Sequence, residues 1–360
     1  MNFCKICKSK NIIELMNYDS TRFARQPFIY NFKTILKFCR NCNFSFHDKL
    51  NIKKLNNFYK NNFFYDNEIY KRYSLDKRID LYKKYFNLKG IKALEIGGGH
   101  NYGLEKIFKT QGSSLHSFDL NPQYKKTDKI KNDYNLIVSH MCLEHIPDLE
   151  SHFKMISIAL KNDGFYLTEV PDVKKYNNSL LLFNSMHINH FSDYNIKLLA
   201  QKNNLKFFKK IKKKYSHYFG VTYIFKKVKE NFLFKKIEKP KNIKKYFLSS
   251  IDLLKKDKLR INKIVNNKKN NYALWGSSEM LSIYFKKLPK NVILVDISNQ
   301  KHGSYKSFHV FPPKILKEKN IHGIIVMTES PVAFKSIKSY VKLNMSNLYN
   351  KINFYQIGKK

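Results

Sequence analysis

Short apolar segments that alternate with helical segments or turns occupy the middle of the chain and limit the folds that it can adopt. These segments have the sequences IKALEI at 91–96, HSFDL at 116–120, YNLIVSH at 134–140 and FYLTEV at 165–170. A helical pattern lies between the last two, over 149–160. Apolar strands that alternate with helices are typical of a mainly parallel, doubly wound sheet. The sequence therefore predicts an α/β fold.

Glycines directly after the first strand predict a ligand site, because glycine lets the backbone approach a bound molecule closely. Gly97, Gly99 and Gly103 have a spacing that would suit a dinucleotide. Glu95, however, precedes the first glycine by two residues, and a carboxylate there disfavours a pyrophosphate and suits an ammonium or sulfonium group. Asp119 lies 24 residues beyond Glu95, at the end of the next strand, where it is placed for ribose hydroxyls. S-adenosylmethionine (SAM), a nucleoside with a positively charged tail, fits this description.

The cysteines predict a metal site near the N-terminus. Two CxxC pairs, Cys4 with Cys7 and Cys39 with Cys42, supply a complete tetrahedral thiolate set suited to Zn²⁺. Because all four positions are filled by protein, the predicted zinc is structural rather than catalytic. Cys142, the fifth cysteine, is expected to be a small core residue.

The net charge of +41 suggests an anionic ligand, yet its composition argues against a dedicated nucleic-acid reader. Of the 68 basic residues only six are arginine, the residue favoured for bidentate recognition of bases and phosphates. We interpret most of the lysine excess as the codon bias of an AT-rich coding sequence, and the remainder as favouring a nucleotide or phosphate ester. Because no apolar run approaches the roughly 18 residues of a membrane span, and no apolar signal segment opens the chain, we expect a cytoplasmic protein.

Four regions are predicted along the chain. They are a zinc-binding module at 1–50, an α/β core at 51–230, a lysine-rich helical linker at 231–271, and a second α/β domain at 272–360. The lysine-rich stretch is either a solvated helix face or a docking surface for an acidic partner. In the last region Gly276 follows a strand and Asp296 ends the next, but no GxGxxG is present. This domain is therefore expected to be structural or substrate-facing.

Several details of the core are also predicted. A helix is expected from about Asp76 to Gly90, and two strand-like runs after residue 204 are expected to close the sheet as an antiparallel pair. The interval from Asp119 to Asp133 is short for a helix plus a strand, so one sheet element is expected to be reduced or missing there.

Three motifs of the core carry a resemblance to a known family. The segment at 133–148 reads DYNLIVSHMCLEHIPD and resembles the fourth-strand motif of class I SAM-dependent methyltransferases. LEIGGG resembles their first glycine loop, and GFYLTEVPD resembles their fifth strand. Over essentially the whole chain, the order of parts resembles the zinc-containing sugar C-methyltransferases. That family has an N-terminal Cys₄ zinc module, a SAM-binding core and a C-terminal Rossmann-like domain.

The resemblance implies a SAM-dependent methyltransferase that acts on a small carbohydrate-type substrate, such as a nucleotide-linked sugar. No specific nucleic acid is expected as a partner. The resemblance also implies cofactor-binding residues: Glu95, Gly97 and Gly99 at the methionine end of SAM, Asp119 at the ribose, and His140 near the cofactor. Asn101 stands where many methyltransferases have a third glycine, which implies a loop of different shape. His145 is expected to be a structural histidine.

The catalytic groups of that family come from a Tyr-His-Glu-His segment after the fifth strand. The corresponding stretch here, NSMHINHFS at 184–192, keeps only the final, basic histidine, which is His187. His187 is therefore predicted to be the general base, with His190 second and Tyr73, from an aromatic run before the core, third. The lost tyrosine and glutamate leave the acceptor atom open. The alternatives are an O- or N-methyltransferase of another metabolite or of RNA, and a zinc-ribbon nucleic-acid-binding protein with an inactive methyltransferase fold.

Overall fold

The computed structural model describes residues 3–23, 29–48, 51–62, 78–98, 104–120, 130, 132–184, 186–211, 219–229, 232–305 and 308–359. The chain divides into two compact units. Unit 1 comprises Met1–Leu15, Leu36–Lys175 and Met186–Lys244. Unit 2 comprises Met16–Ile35, Tyr176–Ser185 and Lys245–Lys360. Each unit is described by itself.

The described strands, in chain order, are β1 (Ile12–Phe23), β2 (Ile29–Cys39), β3 (Ser45–Asp48), β4 (Lys92–Ile96), β5 (Ser114–Phe118), β6 (Tyr134–His140), β7 (Leu160–Pro171), β8 (Asn189–His190), β9 (Leu205–Lys210), β10 (Gly220–Lys227), β11 (Tyr272–Trp275), β12 (Val292–Val295), β13 (Gly303–Tyr305), β14 (Phe308–Phe311), β15 (Gly323–Val326) and β16 (Asn353–Gln356). The helices are α1 (Ile52–Asn62), α2 (78–85), α3 (Leu104–Thr110), α4 (Leu149–Ala159), α5 (Asp193–Gln201), α6 (Lys244–Val265), α7 (Met280–Tyr284), α8 (Pro331–Asn344) and α9 (Ser346–Tyr349).

The main sheet of unit 1 has the strand order β5-β4-β6-β7-β10-β9. Strands β5, β4, β6 and β7 are parallel, and β10 pairs antiparallel with both β7 and β9. The predicted α/β class and the antiparallel closing pair are both confirmed. Both faces are covered, because Leu136 and Val138 lie in one buried cluster with residues of α2 and α3, whereas Ile137 lies in another with residues of α4 and α5. This alternation is the period of a strand buried on both sides.

Two predicted boundaries differ from the structure. Strand β5 covers 114–118 rather than 116–120, so Asp119 lies just beyond its end. Helix α2 ends at residue 85 rather than at Gly90. Gly90 lies in the turn that follows and has a φ of 66°, which is not a helical value. In the interval before β6, the described residues 119, 120, 130, 132 and 133 contain no strand, and the expected reduction of a sheet element there stays a prediction because 121–129 and 131 lie outside the described residues.

A smaller sheet has the order β1-β2-β3-β8. In unit 1, β3 pairs antiparallel with β8, with Ser45 opposite His190 and Phe46 opposite Asn189. The backbone N–H of His47 also donates to the carbonyl of Ile188 at 3.0 Å. Strand β3 begins three residues after Cys42, so it connects the cysteine-rich segment to the stretch that carries the predicted catalytic histidines.

Unit 2 contains a second α/β sheet with the order β13-β14-β12-β11-β15-β16, parallel except for β13. Gly276 follows β11 with a φ of 106°, as the predicted strand-glycine turn requires. The carboxylate of Asp296 accepts hydrogen bonds from the backbone and hydroxyl of Ser277, at 2.8 and 2.7 Å. Because the protein's own carboxylate takes up these donors, the turn resembles a structural element more than a phosphate-binding loop.

Helix α6 forms the helical part of the lysine-rich stretch, and residues 232–240, predicted as part of the helical linker, contain no helix. The buried face of α6 is mainly apolar, with Phe247, Leu254 and Ile261 among its members, and it also includes Asp257. Lys255 and Lys256 lie on the exposed face. Within the described ranges, no helix is both long enough and apolar enough to cross a membrane.

Candidate functional site

The candidate site lies at the carboxyl edge of the main sheet in unit 1, where parallel strands end side by side. Ile96, the last residue of β4, is in register with Phe118 of β5 and Ser139 of β6. The backbone N–H of Gly97 donates to the carbonyl of Phe118 at 2.9 Å. The turn after β4 therefore lies beside Asp119, which directly follows β5. Ligands of open α/β sheets bind at this edge.

Gly97 and Gly98 are glycines for steric reasons. A Cβ atom on Gly97, whose φ is 68°, would lie 2.4 Å from the Sγ atom of Cys142. A Cβ atom on Gly98 would lie 2.4 Å from the Cδ atom of Glu95. Any larger residue must displace one of these side chains, so the turn keeps its shape only with glycine. Gly99, also predicted to bind the cofactor, and Asn101 lie outside the described residues.

Acidic side chains are concentrated around this turn. The carboxyl group of Glu95 is 2% exposed and Asp119 is half-buried. Burial raises the pKa of the Cys142 thiol, and the neighbouring charges of Glu144, Asp119 and Glu95 raise it further. Two of these groups, Glu95 and Asp119, belong to the ends of β4 and β5 beside the turn at Gly97. In a chain with a net charge of +41, the two acidic side chains beside this turn favour a cationic ligand over a pyrophosphate.

His140, the last residue of β6, is held by two protein side chains. Its Nε2 lies 2.7 Å from the hydroxyl of Tyr82, and its Nδ1 lies 2.9 Å from a carboxylate oxygen of Glu169. Burial, followed by the charge of Arg78, lowers the pKa of His140 to about 4 despite the opposing effect of Glu169. The ring is therefore neutral, and any contact with the cofactor would use the face or edge of the ring. Its cofactor role stays a prediction.

His187 lies next to Glu144 and His145. Its Nε2 is 4.0 Å from Oε1 of Glu144, and its ring centroid is 5.0 Å from that of His145. His145 has its Nδ1 2.7 Å from the carbonyl oxygen of Met186 and 2.7 Å from the hydroxyl of Tyr59. His145 therefore has the hydrogen bonds expected of a structural histidine. The three side chains form a cluster in which each offers one possible ligand or proton-transfer atom within 4.8 Å of the others.

His190, the second candidate base, points to a different environment. It is 1% exposed, and its ring packs edge-on against His47 at 4.8 Å. Burial, followed by the charges of His47 and His187, lowers the pKa of His190 well below its ordinary value. A nitrogen that resists protonation in this way makes a poor proton acceptor near neutral pH, which favours His187. Tyr73, the third candidate, lies outside the described residues.

The four cysteines predicted to bind zinc lie in one cluster. Sγ of Cys4 is 3.5 Å from that of Cys42, Sγ of Cys7 is 3.5 Å from that of Cys39, and all four lie within 4.8 Å of one another. A tetrahedral ion with Zn–S bonds of about 2.3 Å places its sulfur atoms about 3.8 Å apart. The four thiols form no disulfide, and the distances between their sulfur atoms are close to those expected when all four bind one ion.

The two CxxC pairs form equivalent turns. Lys8 and Asn43, the residues after each pair, have φ angles of 58° and 59°. Their backbone N–H groups donate to the carbonyls of Cys4 and Cys39, at 3.0 and 2.9 Å. Each turn thus directs two thiols to the same side. The side-chain amide of Asn195 donates to the carbonyl of Cys42 at 2.6 Å, which ties the cluster to α5.

Sequence reasoning missed two carboxyl groups of the site. Glu169 interrupts the apolar strand β7, and a charged residue in a strand buried on both faces was the signal that could have found it. Glu144 lies within the segment at 133–148, where the local sequence gives it no separate role. It is completely buried, which an acidic residue seldom is unless it has a particular role.

A comparison with protein families finds a match in the central part of the chain. Residues 67–209 match a family model described as a methyltransferase domain. The prediction of a methyltransferase domain is thus confirmed for this part of the chain. The narrower assignment to sugar C-methyltransferases stays a prediction. A search of curated protein sequences finds no match.

Solved structures that are similar to part of this chain include several methyltransferases. A putative SAM-dependent methyltransferase from Listeria monocytogenes has 14% identity and a TM-score of 0.35, with 43% of this chain and 100% of that one covered. Geranyl diphosphate C-methyltransferase from Streptomyces coelicolor A3(2) has 12% identity and a TM-score of 0.36, with coverage of 43% and 79%. A third structure is the complex of the Haloferax volcanii Trm112 methyltransferase activator with a putative methyltransferase. The identity is 10% and the TM-score 0.39, with 46% of this chain and 94% of that one covered.

Proposed function

We propose that this chain, whose residues 67–209 match a methyltransferase domain, binds SAM at the glycine turn after β4 and methylates a small carbohydrate-type acceptor such as a nucleotide-linked sugar. The observation that carries the proposal is the acidic edge around Gly97 in an otherwise strongly basic chain. A sulfonium cofactor is favoured by this local field, whereas NAD, with its pyrophosphate, is disfavoured by it.

The residues of the turn have separable roles in this proposal. The turn at Gly97 and Gly98 brings the backbone close to the ligand, and Glu95 presents a carboxyl group that complements positive charge. Asp119 is placed to accept hydrogen bonds from ribose hydroxyls. When bound, SAM supplies an electrophilic methyl group, so the protein need only align the acceptor and remove its proton.

His187 is the proposed general base. Transfer to a sugar carbon requires an enolate beside a keto group, and transfer to oxygen requires loss of a hydroxyl proton. Either reaction uses a base whose pKa lies near neutrality, as that of an ordinary histidine does. The net charge of +41 supports an anionic carrier on the acceptor, for which a nucleoside diphosphate is suitable.

The acceptor class is tested by mass spectrometry of SAM turnover against a panel of nucleotide sugars. Methyl transfer to at least one 4-keto or hydroxyl-bearing member would support the proposal. Turnover only with RNA or with unrelated small amines, under the same conditions, would favour the O- or N-methyltransferase alternative.

Asp119→Ala should weaken SAM binding by about 10- to 100-fold, because removal of a charged hydrogen-bonding partner costs about 1.5–3 kcal/mol. Isothermal calorimetry with SAM and with its demethylated product measures the effect. Asp163→Ala is a matched control, since Asp163 is exposed and pairs with Lys226 away from the turn. An unchanged affinity in Asp119→Ala would refute the ribose assignment, and binding of NAD instead would refute the cofactor.

We also propose that the four-cysteine cluster holds one structural zinc ion. Cys39→Ser should lose the ion and unfold the N-terminal module, because assembly of such a site and local folding are coupled. Metal analysis of protein purified without chelators should give about one zinc per chain. Cys142→Ser, which changes a cysteine outside the cluster, should keep the metal. Wild-type protein without zinc would contradict the proposal.

A further inference from the structure

We propose that Glu144 is a positioning residue for His187: its carboxyl group, anchored by His145, orients the imidazole and offsets the positive charge that forms when His187 takes a proton. The inference rests on the proposed function, because it presupposes that His187 is the general base. Glu144 lies in a short 3₁₀ turn, Leu143–His145, directly after the end of β6.

The burial of Glu144 needs an explanation. The side chain is completely buried, and within the described part of the chain neither carboxyl oxygen has a hydrogen-bond partner. A carboxyl group without compensation costs free energy in such a place. Burial, followed by the charge of Glu169, raises the pKa of Glu144 well above its ordinary value. The resting group is therefore a neutral acid that can donate a proton.

The proton positions on His145 follow from its neighbour Met186. The Nδ1 atom lies 2.7 Å from the Met186 carbonyl oxygen, which can only accept, so Nδ1 must carry the hydrogen. In the neutral ring Nε2 then has a lone pair. This Nε2 lies 3.8 Å from Oε1 of Glu144. A protonated Glu144 can therefore donate its hydrogen to His145 and be oriented by it.

The same oxygen faces His187. Oε1 of Glu144 lies 4.0 Å from Nε2 of His187, so it can accept a hydrogen from that nitrogen and leave Nδ1 as the proton acceptor. Both separations exceed the roughly 2.7–3.0 Å of a formed hydrogen bond. A movement of about 1 Å closes them, and catalytic hydrogen bonds are often long before substrate binds.

The acceptor's proton moves to Nδ1 of His187, which becomes an imidazolium ion. Glu144 gives its own proton to Nε2 of His145, so a carboxylate then lies between two imidazolium ions. One proton has entered and the cluster has gained one positive charge. The side chain of His145 is 19% exposed, compared with 0% for Glu144 and 10% for His187, so His145 is the member best placed to return the proton to solvent.

Other ionisable groups also face Glu144 and contribute to any pH dependence. Besides the two histidines they are Glu169, Cys142 and Tyr166, each of which interacts electrostatically with the Glu144 carboxyl group. Burial raises the pKa of both Cys142 and Tyr166, so these two stay neutral near neutral pH. Glu169 is partnered by His140 at 2.9 Å.

Glu144→Gln tests the inference with the full-length, zinc-loaded protein. The turnover number for methyl transfer should fall by about 10- to 100-fold, less than the 10²–10⁴-fold expected for the base itself. SAM affinity and zinc content should not change. The acidic limb of the pH profile of kcat should move to lower pH, because an imidazolium without its carboxyl partner loses its proton more readily. Glu150→Gln, which changes an exposed glutamate of α4, is the matched control and should behave as wild type.

Glu144→Asp separates charge from shape. Aspartate keeps the carboxyl group but is shorter, whereas glutamine keeps the volume and loses the ionisable proton. Positioning by the carboxyl group predicts a higher kcat for aspartate than for glutamine, with the pH limb restored toward that of wild type. A higher kcat for glutamine, or a fall in kcat with no movement of the pH limb, would show a structural role and overturn the inference.

Two further outcomes distinguish this inference from the proposed function. If His187→Asn is inactive and Glu144→Gln is fully active, the base stands and the role of Glu144 is refuted. A second metal ion in the wild type, lost in Glu144→Gln while zinc at the cysteines remains, would make the cluster a metal site and would also refute the inference.

Discussion

His187→Asn should lower the rate of methyl transfer by about 10²–10⁴-fold, the usual contribution of a general base, without changing SAM affinity or zinc content. Asparagine keeps much of the shape of the imidazole and a hydrogen-bonding group but cannot accept a proton near neutral pH. His187 lies two residues before β8, next to Glu144, and is 8% exposed, so its loss removes a group beside the turn that follows β6 and little of the apolar core.

The measurement separates binding from chemistry. Calorimetry gives SAM affinity, metal analysis gives zinc content, and single-turnover kinetics give the rate of transfer. His309→Asn, at an exposed histidine of β14 whose Nδ1 lies 2.7 Å from Ser304, is the matched control and should leave all three unchanged. Activity within a few-fold of wild type in His187→Asn would show that the base lies elsewhere, with His190 and Tyr73 the next candidates.

Gly97→Val should abolish detectable SAM binding, and with it methyl transfer. The added Cβ would lie 2.4 Å from Sγ and 3.0 Å from Cβ of Cys142, so the turn after β4 or the segment before Glu144 must shift. The left-handed backbone at Gly97 adds about 1–2 kcal/mol of strain for any residue with a side chain. Calorimetry on folded protein, with circular dichroism to verify the fold, provides the measurement.

A second glycine separates strain from collision. Gly112 has a φ of 65°, close to the 68° of Gly97, but a Cβ atom there would meet nothing within 4 Å. Gly112→Val therefore carries similar backbone strain without the collision, and it should lower stability while SAM affinity stays that of wild type. Equal losses of affinity in the two variants would mean that general destabilisation, not the shape of the turn, controls binding.

The cysteine cluster and the catalytic segment are structurally connected in unit 1. Strand β3, which starts just after Cys42, pairs with β8 through Phe46 and Asn189. The side-chain amide of Asn189 in turn donates to the carbonyl of Ile146 at 2.7 Å, beside the turn that carries Glu144. The proposed zinc ion would thus stabilise the position of the catalytic segment through the β3–β8 strand pair, and it would take no part in the reaction.

The sequence alone was sufficient for features that depend on neighbouring residues. Apolar periodicity identified the parallel strands, and β6 was predicted to the residue at both ends. The two CxxC pairs identified four thiols that do lie together. Glycines after a strand identified the turn, because a left-handed backbone and a close approach both demand a missing side chain. Boundaries such as the end of α2 were predicted less well, since caps depend on contacts beyond the local pattern.

Only the tertiary structure decided which side chains of the site meet. Glu144 lies 43 residues before His187, and nothing in the local pattern around either residue indicates that a carboxyl oxygen and a ring nitrogen come within 4.0 Å. The sequence ranked His190 close to His187, yet β8 turns His190 toward His47, where burial keeps it neutral. Periodicity reports which face of an element is buried, because burial acts on every residue of that face. Proximity and protonation depend instead on which elements pack together, and that is determined by long-range contacts that leave no repeating pattern in the sequence.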